Sequence, residues 1–246
     1  MCRWKCVCSY EGGAFYGWQS QSHRQGVQDA LEDRLQKIFK HLVRVHGSSR
    51  TDAGVHAKGQ VFHFDAKWNY GAATLLRAMN ANLGPHLQIK DVQATDPNFH
   101  ARFSACGKRY RYYLLLRKPT PFEWRYCWGI PGTNFQLDRM QEAAKLFEGT
   151  HLFSAFAGKI SSREYSTKHL SRAEVMPQSP DELYVEMIGS GYLYRMARKI
   201  VGALVAVAYG KLSVEQITRL LETGTKELPI VTAPAQGLFL EEVLYE

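Results

Sequence analysis

Apolar and polar residues alternate from Arg3 to Tyr10, the period of a half-buried strand. Gly12, Gly13 and Gly17 end that pattern and open a loop that presents Phe15, Tyr16 and Trp18 to solvent. Val27, Leu31, Leu35, Ile38 and Phe39 then recur at helical spacing, which predicts a helix over 26–40. Leu42 to Val45 reads as a short strand leading into Gly47-Ser48-Ser49, and Gly59 to Asp65 as the next strand. Residues 71–82 suit a second helix with Leu75, Leu76 and Met79 on one face, followed by a strand from Leu87 to Ala94. The order β-α-β-β-α-β is that of a ferredoxin-like half.

The second half begins near Phe99. Lys108 to Leu116 is rich in aromatic and β-favouring residues and reads as a strand. Pro119, Pro121, Pro131 and Gly132 make 119–134 mostly loop. Gln136 to Phe147 suits a helix, and Gly158 to Ser166 a polar loop. Leu170–Met176 and Leu183–Ile188 form a hairpin around Pro177 and Pro180. Tyr192 to Tyr209 reads as a long helix, Val214 to Glu222 as a shorter one, and Gly237 to Leu244 as a closing strand. No sequence repeat is visible, yet the halves share an element order. The expectation is an α/β (α+β) protein of two ferredoxin-like subdomains, 1–98 and 99–246, with largely antiparallel sheets around a central basic cleft.

Composition sharpens this only in part. A chain of 246 residues with 45% hydrophobic content can bury a real core. It carries 31 basic and 23 acidic residues, a surplus of 31 − 23 = 8 that favours a polyanionic partner such as nucleic acid. No apolar run approaches the roughly 18 residues of a membrane span, the longest being Ile200 to Tyr209. The N-terminus goes directly into a strand pattern without the apolar stretch of a secretory signal. The five cysteines fit no zinc spacing, and their odd number argues against a disulfide scaffold. They read as reduced thiols of a cytosol-like compartment, with Cys6 and Cys8 packed in the core.

The segment with the most chemical content is Arg50-Thr51-Asp52-Ala53-Gly54-Val55-His56. A carboxylate in a glycine-flanked loop at a strand end is a common place for catalysis. Arg50 supplies positive charge beside it, Ala53 and Gly54 leave room for a substrate, and His56 adds a polar group. An isolated Asp-Ala-Gly is more often a simple turn. An aspartic protease would need a second such triplet, and there is none. His56 and His63 lack the spacing of a helical zinc site.

The wider context changes the weight of that loop. Gly47 through Ala57, followed by Gly59-Gln60-Val61, resembles the active-site motif of TruA-type tRNA pseudouridine synthases. Tyr10-Glu11-Gly12, Phe15-Tyr16-Gly17-Trp18-Gln19 and Asn80-Ala81-Asn82-Leu83 resemble further blocks of that family. So do Phe99 to Ala105, Lys108 to Tyr112, and Arg198-Lys199-Ile200-Val201-Gly202. The blocks run in family order from about residue 5 to 244.

The resemblance implies isomerisation of uridine to pseudouridine in the anticodon stem-loop of tRNA, at positions 38–40, by a homodimer without metal or other cofactor. It makes Asp52 the essential catalytic carboxylate, acting on C1′ as nucleophile or on the C2′ proton. Arg198 would pair with that aspartate, Tyr110 would meet the target uracil, and Arg50 would stabilise the extruded nucleotide. A helix-end arginine in solvent is the plain alternative for Arg198, and a core aromatic for Tyr110. His56, Arg102, Lys108, Arg109, Arg195, Lys199 and Lys168 would contact RNA, with Arg111 in the same basic stretch. Lys168 stands where the family commonly has arginine, and Ser48-Ser49 where it has smaller residues. A catalytically silent RNA-binding protein and an Asp-dependent hydrolase are the competing classes.

Overall fold

The computed structural model describes residues 1–158 and 166–246, so most of the loop expected between Gly158 and Ser166 lies outside the described residues. The chain divides into two units: Met1–Cys106 with Phe239–Glu246, and Gly107–Leu238.

In the first unit the chain runs β1 (Cys2–Tyr10), α1 (Val27–Phe39), β2 (His46–Gly47), β3 (His56–Ala66), α2 (Ala72–Asn80) and β4 (Leu87–Thr95). β1 pairs antiparallel with β3 and with β4, and β2 pairs antiparallel with β3. The resulting order β4-β1-β3-β2 is the split arrangement that the predicted element order implies. The final strand, β10 (Leu238–Tyr245), returns to this unit and lies parallel to β3 through Phe239–His56 and Leu240–Ala57. Along β1 the buried positions are Trp4, Cys6, Cys8 and Tyr10, one face of the pleat. Burial pushes the Cys6 and Cys8 thiols well above the ordinary range, as suits core packing.

Three local readings change. Residues 42–45 are not strand; the ladder begins at His46, opposite His63. Trp18 is not presented to solvent but is 2% exposed, tilted against Tyr10 and Phe62 and lying over Gly47. A side chain at Gly47 would occupy the space of that indole. The unit boundary falls after Cys106 rather than after Asn98, because residues 99–101 are bound to the first sheet. Arg3 Nη1 donates to Phe99 O at 3.0 Å, Ala101 N donates to His63 Nδ1 at 3.1 Å, and Tyr245 Oη donates to Ala101 O at 2.6 Å.

The second unit runs β5 (Ala105–Leu115), β6 (Trp128–Gly129), α3 (Leu137–Lys145), β7 (Gly149–Leu152), β8 (Thr167–Ser179), β9 (Glu182–Gly189), α4 (Met196–Ala208) and α5 (Val214–Thr223). Its strands lie in the order β5-β9-β8-β7, all antiparallel, with β6 parallel to β5. β7 and β6 have no counterpart among the predicted strands. The helix expected from Tyr192 starts only at Met196, since Arg195 takes the left-handed conformation, φ 61°, and the backbone before it is not helical. Within α4, a side chain at Gly202 would run into the Val231 carbonyl, so only glycine permits that approach.

A buried histidine within a histidine cluster gives the first unit a pH dependence. His63 is buried, stacked on His46 at 5.0 Å and edge-on to His100 at 4.7 Å, with Arg3 nearby. Desolvation, then the charges of His100, His46 and Arg3, lower its pKa to about 4. An unfolded imidazole titrates near 6.5, so the unfolded chain takes up this proton first as pH falls. Stability is therefore expected to fall between about pH 6.5 and 4, by on the order of 1–3 kcal/mol from this group. Urea midpoints at pH 7 and pH 4.5 measure it. His63→Gln should flatten the difference, and an unchanged difference would exclude His63 as its source.

Candidate active site

Asp52 stands in the connection between β2 and β3, and the sequence around it explains its posture. Gly54, at φ 81°, turns the chain, with Val55 N donating to Asp52 O at 3.1 Å. Two backbone segments close on this turn from outside. A side chain at Gly12 would collide with the Val55 carbonyl, and one at Gly17 would stand 2.7 Å from Thr51 O. Trp18 N donates to that same Thr51 carbonyl at 3.1 Å. The loop 12–18 therefore needs Gly12 and Gly17 because it is pressed against the Asp52 turn, not because it is mobile.

The same loop serves α1. Gly17 O and Trp18 O accept from Val27 N and Gln28 N, both at 3.0 Å, which satisfies amides left free at the helix start. Asp29, 2% exposed, accepts from Gly26 N at 2.9 Å and Ser20 Oγ at 2.6 Å. Helix, glycine loop and Asp52 turn thus form one hydrogen-bonded block.

His56 belongs to this block and not to an RNA-facing surface. It is 2% exposed; its Nδ1 accepts from Gly12 N at 3.0 Å, and its ring stacks on Phe239 at 4.5 Å. Burial between a backbone amide and a phenyl ring leaves it little exposed surface for the expected RNA contact. Asp52 itself is part-buried and Arg50 exposed.

In the second unit, Tyr110 lies on β5 opposite Met187 and meets the Tyr192 ring edge-on at 4.8 Å. Tyr112, two residues on, has the same parity, but its hydroxyl is committed to Pro234 O at 2.7 Å. Arg198, on α4, donates from Nε to Ala233 O at 2.7 Å while Ala233 N donates back to Arg198 O at 3.1 Å. The guanidinium also acts on the Tyr112 hydroxyl, drawing its pKa down against a larger rise from burial. Arg198 is thus a part-buried, fixed side chain and not a solvated helix-end arginine.

The structure sorts the basic residues. Arg111 is taken by Glu186, directly opposite on β9, at 2.7 Å, which holds its guanidinium charged. Arg102 is exposed, 5.7 Å from the Phe103 ring, in the first unit. Arg195, exposed, lies 4.8 Å from the Tyr194 ring. Burial, then Lys226 and Arg195, lowers the Lys199 pKa. Lys108 and Arg109 are half-buried on β5, and Lys168 is half-buried on β8 opposite His151. Among the described residues no group of three or more His, Cys, Asp or Glu is placed to hold a metal ion.

Comparison with known proteins identifies the family. A profile described as tRNA pseudouridine synthase matches residues 7–104 and 143–246. A tRNA pseudouridine synthase A of Geobacillus sp. (strain WCH70) is 39% identical over 99% of this chain and 98% of its own. The chain belongs to the tRNA pseudouridine synthase family. A tRNA pseudouridine synthase A of Geobacillus kaustophilus (strain HTA426) is 40% identical over 99% of this chain and 95% of its own. One of Staphylococcus aureus (strain JH1) is 37% identical over 96% and 88%. The Asp52 turn, Tyr110 and Arg198 of this synthase each occupy the motif that identified the family in the sequence. No described helix of it is long and apolar enough to cross a membrane.

The glycine contacts make a direct prediction for this synthase. Gly12→Ala should displace the Val55 carbonyl and the turn behind it, costing about 1–3 kcal/mol. Pseudouridine formation should fall with it. Wild-type stability in that variant, read by thermal melting, would show that the loop can move aside.

Proposed function

We propose that this enzyme isomerises uridine to pseudouridine in the anticodon stem-loop of tRNA, at positions 38–40, with Asp52 as its essential carboxylate. The observation that carries the reading is Asp52 itself: a part-buried carboxylate on a turn gripped from both sides, in the family's own motif. The reaction breaks the bond from C1′ to N1, turns the uracil, and joins C5 to C1′; the proton on C5 is released. Nothing is added and no oxidation state changes.

Asp52 begins it in its ionised form, either by attacking C1′ or by removing the C2′ proton. Arg198 supports the anion and fixes its direction through a guanidinium fork, Tyr110 lies against the uracil and assists loss of the C5 proton, and Arg50 stabilises the extruded nucleotide. Arg102, Lys108, Arg109, Arg195, Lys199 and Lys168 hold phosphates, so affinity falls steeply as salt rises. The working species is a homodimer inside the cell. The relatives' names and the basic surplus of 8 support an RNA substrate.

Asp52→Asn is the test. Release of tritium from tRNA labelled at uridine C5 should fall by at least about 10²–10⁴-fold. Binding of the same tRNA should stay within about threefold, since phosphate contacts dominate affinity. Activity retained in Asp52→Asn would overturn the reading, and intact binding with no turnover even in the wild type would leave a silent RNA-binding protein.

A further inference from the structure

The side of the Asp52 turn that faces the sheet carries a hydrogen-bond network to which no role has been given. The β2 ladder continues one step past Gly47, with Ser48 N donating to Val61 O at 2.8 Å. At the next residue the backbone partner is replaced by a side chain. Gln60 Oε1 accepts from Ser49 N at 3.1 Å and Gln60 Nε2 donates to Ser49 O at 2.8 Å. The amide of Gln60, 0% exposed, thus stands in for a neighbouring strand. Its Nε2 also reaches the Tyr10 hydroxyl at 3.4 Å, and that hydroxyl bonds Thr51 Oγ1 at 2.8 Å. Tyr10 is 4% exposed. Thr51 O is held from the other edge by Trp18 N.

The residues of the turn alternate. Ser49 and Thr51 are buried toward Gln60 and Tyr10, while Arg50 is exposed and Asp52 part-exposed. Both backbone groups of Ser49, and the carbonyl and hydroxyl of Thr51, are therefore fixed. The two side chains with chemistry to do project from the intervening positions. A buried amide and a buried phenol are costly unless bonded, and here the bonds fall on the residues that flank Arg50 and precede Asp52.

We propose that Gln60, Tyr10 and Thr51 are positioning residues for the reaction: they hold the direction of Asp52 and Arg50 against the sheet. The proposal rests on Asp52 being the essential carboxylate. A carboxylate that must meet C1′ or its neighbour loses rate steeply when misplaced by about 1 Å, even with binding intact. The Thr51 hydroxyl is the last side-chain tie before Asp52, so its loss should act on turnover rather than on RNA affinity.

The experiment measures kcat, KM, tRNA affinity and melting temperature for Thr51→Val, Thr51→Ser, Tyr10→Phe and the double variant Tyr10→Phe/Thr51→Val, beside Asp52→Asn. Thr51→Val should lower kcat about 10- to 100-fold with KM and tRNA affinity within about twofold. Thr51→Ser, which keeps the hydroxyl, should restore kcat to within about threefold. Tyr10→Phe, which also removes the contact to Gln60 Nε2, should lower kcat at least as far as Thr51→Val, and the double variant should be no worse than the poorer single, since both remove the Tyr10–Thr51 bond. A merely structural role would lower the melting temperature but leave kcat of the folded, tRNA-binding enzyme unchanged. The proposal is overturned if Thr51→Val or Tyr10→Phe, folded, keeps kcat within about twofold, or if Thr51→Ser is no better than Thr51→Val. Should Thr51→Val fail to fold, Tyr10→Phe and Thr51→Ser decide alone. An inactive Asp52→Asn beside fully active hydroxyl variants sinks the brace only; an active Asp52→Asn sinks the reading of Asp52 and the brace with it.

Discussion

The bond that the first unit turns on is the pair between the Gln60 amide and the Ser49 backbone. It ends the β2–β3 ladder without leaving peptide groups unsatisfied, because a side chain takes over where the neighbouring backbone departs. From that point the chain can leave the sheet, make the Asp52 turn and re-enter as β3. A buried glutamine with its oxygen and nitrogen both engaged tolerates little movement, so the turn inherits the rigidity of the sheet.

The outer side of the turn is closed by backbone rather than side chain. Gly12 and Gly17 bring two peptide segments to within a distance no side chain would permit, and the carbonyls of Gly17 and Trp18 cap α1. The indole of Trp18, buried over Gly47, fills the space beneath. The same glycines that would loosen a free loop serve here to make it tight. Helix start, sheet edge and Asp52 turn consequently share one set of contacts.

The second unit holds its side chains by a different device. Tyr110 and Arg198 are fixed by strand pairing and by reciprocal bonds to Ala233, with the second aromatic of the same parity, Tyr112, tied down by Pro234. Of the two tyrosines that alternate onto one face, Tyr112 has its hydroxyl bonded to Pro234 O, while Tyr110 meets the Tyr192 ring. Arg111 is paired with its cross-strand partner Glu186, a pairing set by register and invisible one strand at a time.

By itself the sequence determined the α+β class, the element order of the first half, the first two helices (read at 26–40 and 71–82, found at 27–39 and 72–80), and the family, through motifs ordered along the chain. These follow from local periodicity and from residue identity, which need no knowledge of distant contacts. It placed Asp52 in a loop and marked Tyr10, Gly12 and Gln60 as part of the resemblance, but gave no reason for them. Only the tertiary structure decided that Trp18 is core, that His56 is buried against Gly12 and Phe239, that residues 99–106 and the last strand belong with the first unit, and that β2 begins at His46. Each of these depends on which chain segments meet across the sheet. Burial and hydrogen-bond partnership are properties of pairs far apart in sequence, so a histidine or an indole reads the same in either environment until its neighbours are known.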